Sequence, residues 1–459
     1  MWEVGAICLV ALLVVWISHL FYSWTNPKCK NGKLPPGSMG LPFIGETLQF
    51  FSPYSSHDIP PFIKNRIARY GPLFRTSLVG QKIVVSTDNE INYSIFQQEN
   101  KSFQLWYTDS FAELIGREKN VLAHEGRLIN YMKKLVLHFI GPAKLREKLL
   151  VDVDQTTRKH LQSWAEHGSV DFKQGASQVI FEFLARNLMS YNEKRDSKKV
   201  LENCKTFMDG LISFPLNIPG TAFHASLQGR KKIIKVIEDI LQDRRASKVP
   251  SRDFLDHLLE EMENEDTLIN DNVAINLIFA LFFASHESTS QSVALLVNFV
   301  SDHPDVLAEL TKEHETILRE RDNENTGITW EEYKSMTFTH MVINESVRIG
   351  RYTIPAGWIV LIIPSAVHFN PEKYDNPYTF NPWRWQGQEL HKGSKTFMGF
   401  GCGVRLCVGA EFAKLQMATF LHYLVTKYRW SVINGGDIVR RPHVTFPNGL
   451  HVEIAEKKQ

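Results

Sequence analysis

Apolar positions dominate two long stretches of this chain and alternate with polar ones elsewhere. Residues 2–24 read WEVGAICLVALLVVWISHLFYSW, interrupted only by Glu3 and His19. As a helix this run measures about 35 Å, enough for a hydrocarbon core of about 30 Å. Trp2, Trp16, Tyr22 and Trp24 supply interface-seeking aromatics. A cleaved signal peptide fits less well: no basic segment precedes the run and no small-residue cleavage site follows it. Lys28, Lys30 and Lys33 follow it. The positive-inside rule then predicts a single-pass anchor at residues 2–24, with the body in the cytosol. The prolines of Lys33-Leu34-Pro35-Pro36-Gly37-Ser38-Met39-Gly40-Leu41-Pro42 predict a stiff hinge over residues 25–45.

The second long stretch, residues 271–300, reads DNVAINLIFALFFASHESTSQSVALLVNFV. It is apolar on nearly every face, which predicts a helix buried through the middle of a domain. A second membrane span is the competing reading, but Ser285-His286-Glu287-Ser288-Thr289-Ser290 is too polar for lipid. A polar notch halfway along a buried helix points to a ligand lying against it.

Shorter periods predict helices over 127–139 and 152–166 and a strand over 81–86. Thr329 and Glu332 have capping-box spacing and open a predicted helix over 330–348. Asp302-His303-Pro304 marks another helix start, with Pro304 in the first turn. Residues 46–459 therefore read as one large domain, mainly α with small β-sheets.

Composition narrows the function. Lys and Arg number 52 and Asp and Glu 50, so the net charge is +2 and no field steers the chain to nucleic acid. Five cysteines, at 8, 29, 204, 402 and 407, make no disulfide framework and suit a reducing compartment.

Phe400-Gly401-Cys402-Gly403-Val404-Arg405-Leu406-Cys407-Val408-Gly409 is the strongest chemical signal. Its glycines let backbone approach a ligand closely. Arg405 offers a cation two residues before Cys407, and the helix after Gly409 aims its positive end at the thiolate. Half a zinc site is one reading, but no second Cys pair or matched His pair exists. Inert core cysteines are another. Thiolate ligation of haem iron is the third.

These ten residues match the cysteine signature of the cytochrome P450 family, F-x-x-G-x-R-x-C-x-G, at every fixed position. Leu34-Pro35-Pro36-Gly37 resembles the hinge of its membrane-bound members. Ala284-Ser285-His286-Glu287-Ser288-Thr289 resembles its oxygen-activating stretch, usually A-G-x-[DE]-T-T. Glu345-Ser346-Val347-Arg348 matches E-x-x-R. Phe380-Asn381-Pro382-Trp383-Arg384-Trp385 resembles the segment that completes the Glu–Arg–Arg cluster. The chain looks most like plant members that oxidise brassinosteroids and triterpenoids, including the thalianol-hydroxylase-like group.

The resemblance implies the cytochrome P450 fold and a monooxygenase of the endoplasmic reticulum membrane acting on a lipophilic isoprenoid. Electrons would come from NADPH through a membrane-bound reductase. Cys407 would be the axial iron ligand, Phe400 would shield its sulfur, and Gly401, Gly403 and Gly409 would shape the haem loop. Arg405 and either Lys133 or Lys134 would hold propionates. Glu287 and Ser288, with Thr289 beside them, would relay protons at a helix distortion. Ser288 stands where the family prefers Thr, and Ser285 where it prefers Gly. Glu345, Arg348 and Arg384 would form a buried structural cluster. Residues 102–115 and Phe446-Pro447-Asn448-Gly449 would wall the substrate pocket.

One departure stands out. Only Ile349, Gly350 and Arg351 separate Arg348 from Tyr352-Thr353-Ile354-Pro355. Family members usually carry a longer stretch there, which forms strands beside the haem and lines the pocket. Three residues reach at most about 11 Å. The pattern reads as the loss of one coherent segment. It leaves a second function open: a catalytically impaired isoform that binds haem poorly or only binds a ligand. A haem-thiolate isomerase or dehydratase is a third possibility, against which the retained Glu287–Ser288 pair argues.

Overall fold

Helices make up most of the computed structural model of the protein, with strands gathered in three small sheets. The structure describes residues 2–26, 34–55, 59–99, 101–103, 109–115, 125–191, 197–211, 213, 215–247, 250–321, 323, 326–348, 359–388, 394–403, 406–440 and 444–457. The mainly α expectation therefore holds.

The central helix, Asp271–Asp302, organises the body. Asn270 caps it, its side chain accepting the Val273 N–H at 3.0 Å. Its 32 residues span about 48 Å. Burial runs almost without a break from Val293 to Val300, where the helix meets the C-terminal helix, Ala410–Lys427. The helix Phe172–Met189 packs along its flank, as does the helix Ala222–Ser247.

The predicted strand pairs as expected: Gln81–Ser86 runs antiparallel to Leu73–Leu78 and parallel to Ile359–Ile362. A second sheet joins Tyr428–Gly435, Leu450–Glu456 and Ser169–Asp171, and the third is built from short pieces at Tyr54–Ser55, Val439–Arg440 and Val444–Thr445. The predicted helices at 127–139 and 152–166 are Glu125–Ile140 and Leu150–His167. Pro304 opens the helix Pro304–Arg319 at its first position.

The single helix predicted over 330–348 is corrected. It is two helices, Trp330–Ser335 and Thr337–Arg348, broken at Met336. The Thr329–Glu332 capping box is present as expected. The break has a cause in the neighbouring helix. Glu313 accepts the backbone N–H groups of Phe338 at 2.6 Å and Thr339 at 2.9 Å, so it caps a fresh helix start. Met336 is fully buried at the corner.

The helix Trp2–Thr25 is, among the described residues, the one long and apolar enough to cross a membrane, and none of its apolar window is buried. Trp24 Nε1 donates to the Gly40 carbonyl at 3.2 Å. Beyond it, the proline segment lies against the first sheet: Arg75 donates from its backbone N–H to Pro36 and from its guanidinium to Pro35. Lys28, Lys30 and Lys33 lie outside the described residues.

Candidate active site

The cysteine loop closes on itself through main-chain bonds. The Cys407 N–H donates to Phe400 O at 2.8 Å, Leu406 N–H to Gly403 O at 3.1 Å and Gly401 N–H to Met398 O at 3.0 Å. Gly401 and Gly403 have φ of 82° and 62°, the left-handed region that disfavours any side chain. A Cβ on Gly403 would come within 2.8 Å of the Phe96 carbonyl oxygen, so the absence of a side chain there is required. Gly409 precedes the first residue of the C-terminal helix, two positions after Cys407. The two thiols differ. Cys402 is fully buried and burial pushes its pKa up, whereas Cys407 is half-buried. Phe400 is buried, with the Lys414 ammonium 5.5 Å from its ring centre. Arg405 lies outside the described residues.

The central helix carries an open strip near its midpoint. Ala280 and Ala284 are exposed, and Ser288, one turn further, is half-buried. Side chains four apart share one helix face, so these three line a single space. The Ser288 hydroxyl donates to the Ala284 carbonyl at 2.6 Å. Helical structure runs unbroken through this stretch, and the expected distortion is not seen. The back-bond of Ser288 leaves the main-chain ladder intact.

Glu287, Ser288 and Thr289 do not share one environment. Lys173 Nζ stands 3.3 Å from both carboxylate oxygens of Glu287. Thr289 is buried at 3% exposure. His286, on another face, is held by the Ser177 hydroxyl at 2.7 Å, and burial pushes its pKa down to about 4. Glu287 and Lys173 border a cleft of about 1820 Å³ whose walls include Trp164, Phe181, Phe446 and Pro447. The expected wall at Phe446, Pro447 and Gly449 thus faces this cleft, and neither Cys407 nor Ser288 lines it. Residues 104–108 of the other expected wall lie outside the described residues.

Glu345, Arg348 and Arg384 do meet. The Glu345 carboxylate accepts from Arg348 Nε at 3.0 Å and Nη2 at 2.8 Å, from Arg384 Nε at 3.1 Å, from Trp385 Nε1 at 3.0 Å and from the Asn381 N–H at 3.1 Å. Arg348 gives two further hydrogen bonds, to the carbonyls of His368 and Pro377. Pairing of this extent is what a buried ion cluster requires.

His368 was not anticipated from the sequence. It is fully buried, and burial, with the Arg348 cation beside it, pushes its pKa down to about 3. The neutral ring bridges two main-chain groups: Nδ1–H donates to the Arg348 carbonyl, and Nε2 accepts the Met398 N–H at 2.9 Å. Its only sequence signal is a histidine within an apolar run, which does not separate it from an ordinary core residue.

Lys133 and Lys134 sit on the helix Glu125–Ile140, half-buried and exposed respectively. The donor set fits a haem. A half-open thiol stands in a loop whose Gly403 admits no Cβ, ahead of a helix N-terminus, and small residues open one face of the central helix. Cys407 would hold the iron.

Comparison with known proteins agrees with this geometry. The family model for Cytochrome P450 matches residues 35–450. Cytochrome P450 87A3 of Oryza sativa subsp. japonica is 46% identical, over 95% of this chain and 88% of its own length. Beta-amyrin 16-alpha-hydroxylase CYP87D16 of Maesa lanceolata is 38% identical over 478 aligned positions that cover 100% of both chains. Since this chain has 459 residues, at least 478 − 459 = 19 of those positions face no residue of it. The solved structure of retinoic acid bound cyanobacterial CYP120A1 superposes with a TM-score of 0.79 at 23% identity, over 92% of this chain and 99% of that one, and so shares the fold. On sequence and fold together, this chain belongs to the plant members of the cytochrome P450 family, monooxygenases whose haem iron takes a cysteine thiolate.

Proposed function

We propose that this chain hydroxylates a lipophilic isoprenoid, a triterpenoid or steroid-like substrate, while anchored in the endoplasmic reticulum membrane by residues 2–24. The haem, when bound, supplies the activation of dioxygen. Cys407 holds its iron, and Phe400 covers the sulfur. Arg405 and one of Lys133 or Lys134 neutralise propionates. Glu287 takes up protons from the cleft it borders, and the Ser288 hydroxyl, on the open strip of the central helix, presents a proton to the site. Electrons come from NADPH through a membrane-bound reductase, and the catalytic body faces the cytosol.

The observation that carries this reading is the contrast between the two thiols of the loop. Cys402 is sealed in the core, while Cys407 is half-open and tied back by its N–H to Phe400 O. Relatives support the substrate class, one of them named for hydroxylating beta-amyrin. The apolar helix Trp2–Thr25 supports the anchor.

We place the 19 or more missing positions between Arg348 and Tyr352, in a stretch outside the described residues. Nothing favours the impaired isoform. Both borders of that stretch are well formed: Arg348 makes four hydrogen bonds from its guanidinium, and Ile359–Ile362 is in register beside Gln81–Ser86.

The test is conversion of β-amyrin and related triterpene alcohols by yeast microsomes holding the full chain and a plant NADPH reductase, under isotopically labelled dioxygen. A product one labelled oxygen heavier is expected. Haem-loaded protein that yields no NADPH-dependent product from any triterpene alcohol or sterol contradicts the substrate class.

A further inference from the structure

We propose that His368 is a positioning residue, which carries the rigidity of the buried Glu345–Arg348 pair into the cysteine loop and so fixes the thiolate of Cys407. The inference rests on the assignment of Cys407 as iron ligand.

Arg348 is the last described residue of the helix Thr337–Arg348. His368 takes the Arg348 carbonyl with its Nδ1–H. On the other side its Nε2 accepts the Met398 N–H at 2.9 Å. Met398 O in turn accepts the Gly401 N–H at 3.0 Å, and Phe400 O accepts the Cys407 N–H at 2.8 Å. Hydrogen bonds and the backbone between them therefore link the ion pair to the turn that carries the thiol.

A second path closes the circuit. The His368 ring stacks on Phe397 with centres 5.9 Å apart and planes 23° apart. Phe397 meets the Trp385 ring edge-on at 5.2 Å, and Trp385 Nε1 donates to Glu345 at 3.0 Å. Glu345, Arg348, His368, Phe397 and Trp385 thus form a closed ring of contacts, with the loop attached at Met398. A neutral imidazole offers one donor and one acceptor on a rigid frame, which is what the two main-chain partners demand. The bridge also grips the last residue before the shortened stretch, so the loop keeps a fixed support independent of that stretch.

Two variants of the full, haem-loaded chain separate this role from simple packing. His368→Phe keeps the ring and its stacking but removes both hydrogen bonds. His368→Gln restores one donor and one acceptor. The readouts are the reduced, carbon-monoxide-bound absorption spectrum and helix content by circular dichroism. The Phe variant is expected to keep its helix content and to move at least half of its absorbance from the thiolate-type to the thiol-type band. The Gln variant is expected to retain the thiolate band. A Phe variant with the wild-type spectrum overturns the inference. So does a Gln variant as impaired as Phe, or a Phe variant whose helix content collapses together with the band, since either makes His368 a core residue only. A wild-type protein without a thiolate band contradicts the ligand assignment itself, and the inference falls with it.

Discussion

Glu345 and Arg348 stand one helical turn apart and make a two-point ion pair with no side-chain surface open to solvent. Desolvating both charges is costly, and the pair repays that cost only because hydrogen bonds engage four of the five guanidinium N–H donors. Glu345→Gln would leave the Arg348 cation buried without its counter-charge. The expected loss is about 3–5 kcal/mol in urea unfolding of the full chain. A loss below about 1 kcal/mol would place the pair among contacts of ordinary surface strength.

Ser288 lies on the open strip with Ala280 and Ala284, while Glu287 beside it reaches Lys173. Ser288→Ala is expected to slow oxidation of whichever triterpene alcohol or sterol the wild type converts by about a hundredfold, the low end of what a positioned proton donor contributes. KM should stay nearly unchanged, since binding does not use the hydroxyl. Ser288→Thr should retain most activity. Equal product rates for wild type and Ser288→Ala would remove Ser288 from the relay.

Gly403 has φ of 62° and no room for a Cβ beside the Phe96 carbonyl. Gly403→Ala is expected to cost about 1–3 kcal/mol in strain and to lower the fraction of protein that retains haem after purification. An Ala variant as fully loaded as wild type would show that the loop relaxes freely.

Burial holds His286 at a pKa of about 4, and His314 and His368 at about 3. All three lie below the unfolded value near 6.5, so the folded state needs them neutral. Their contribution is complete above pH 6.5 and is lost as pH falls from there toward 4 and 3. Unfolding free energy should therefore fall by about 2 kcal/mol per histidine between pH 6.5 and about 5. A stability that stays level over that interval would contradict the burial of these rings.

The motifs were legible because their chemistry is compressed into short segments: the cysteine loop, the E-x-x-R turn and the capping box each need only local spacing. The central helix was legible from its unbroken apolar run. The break at Met336 was not, because Glu313, which caps the second helix, lies 25 residues from Phe338. His368 was hidden for the same reason, its two partners lying 20 and 30 residues away. The separation of Glu287 from Ser288 depends on where Lys173 arrives, on a helix whose own sequence says nothing of its neighbour.

The central claim is that Cys407 is the thiolate ligand of a haem iron in this chain. It is tested most directly by the reduced, carbon-monoxide-bound spectrum of the purified full-length protein beside its Cys407→Ala variant. The wild type is expected to show a thiolate-type Soret band and the variant none. A variant that keeps the band, or a haem-loaded wild type without it, would contradict the assignment.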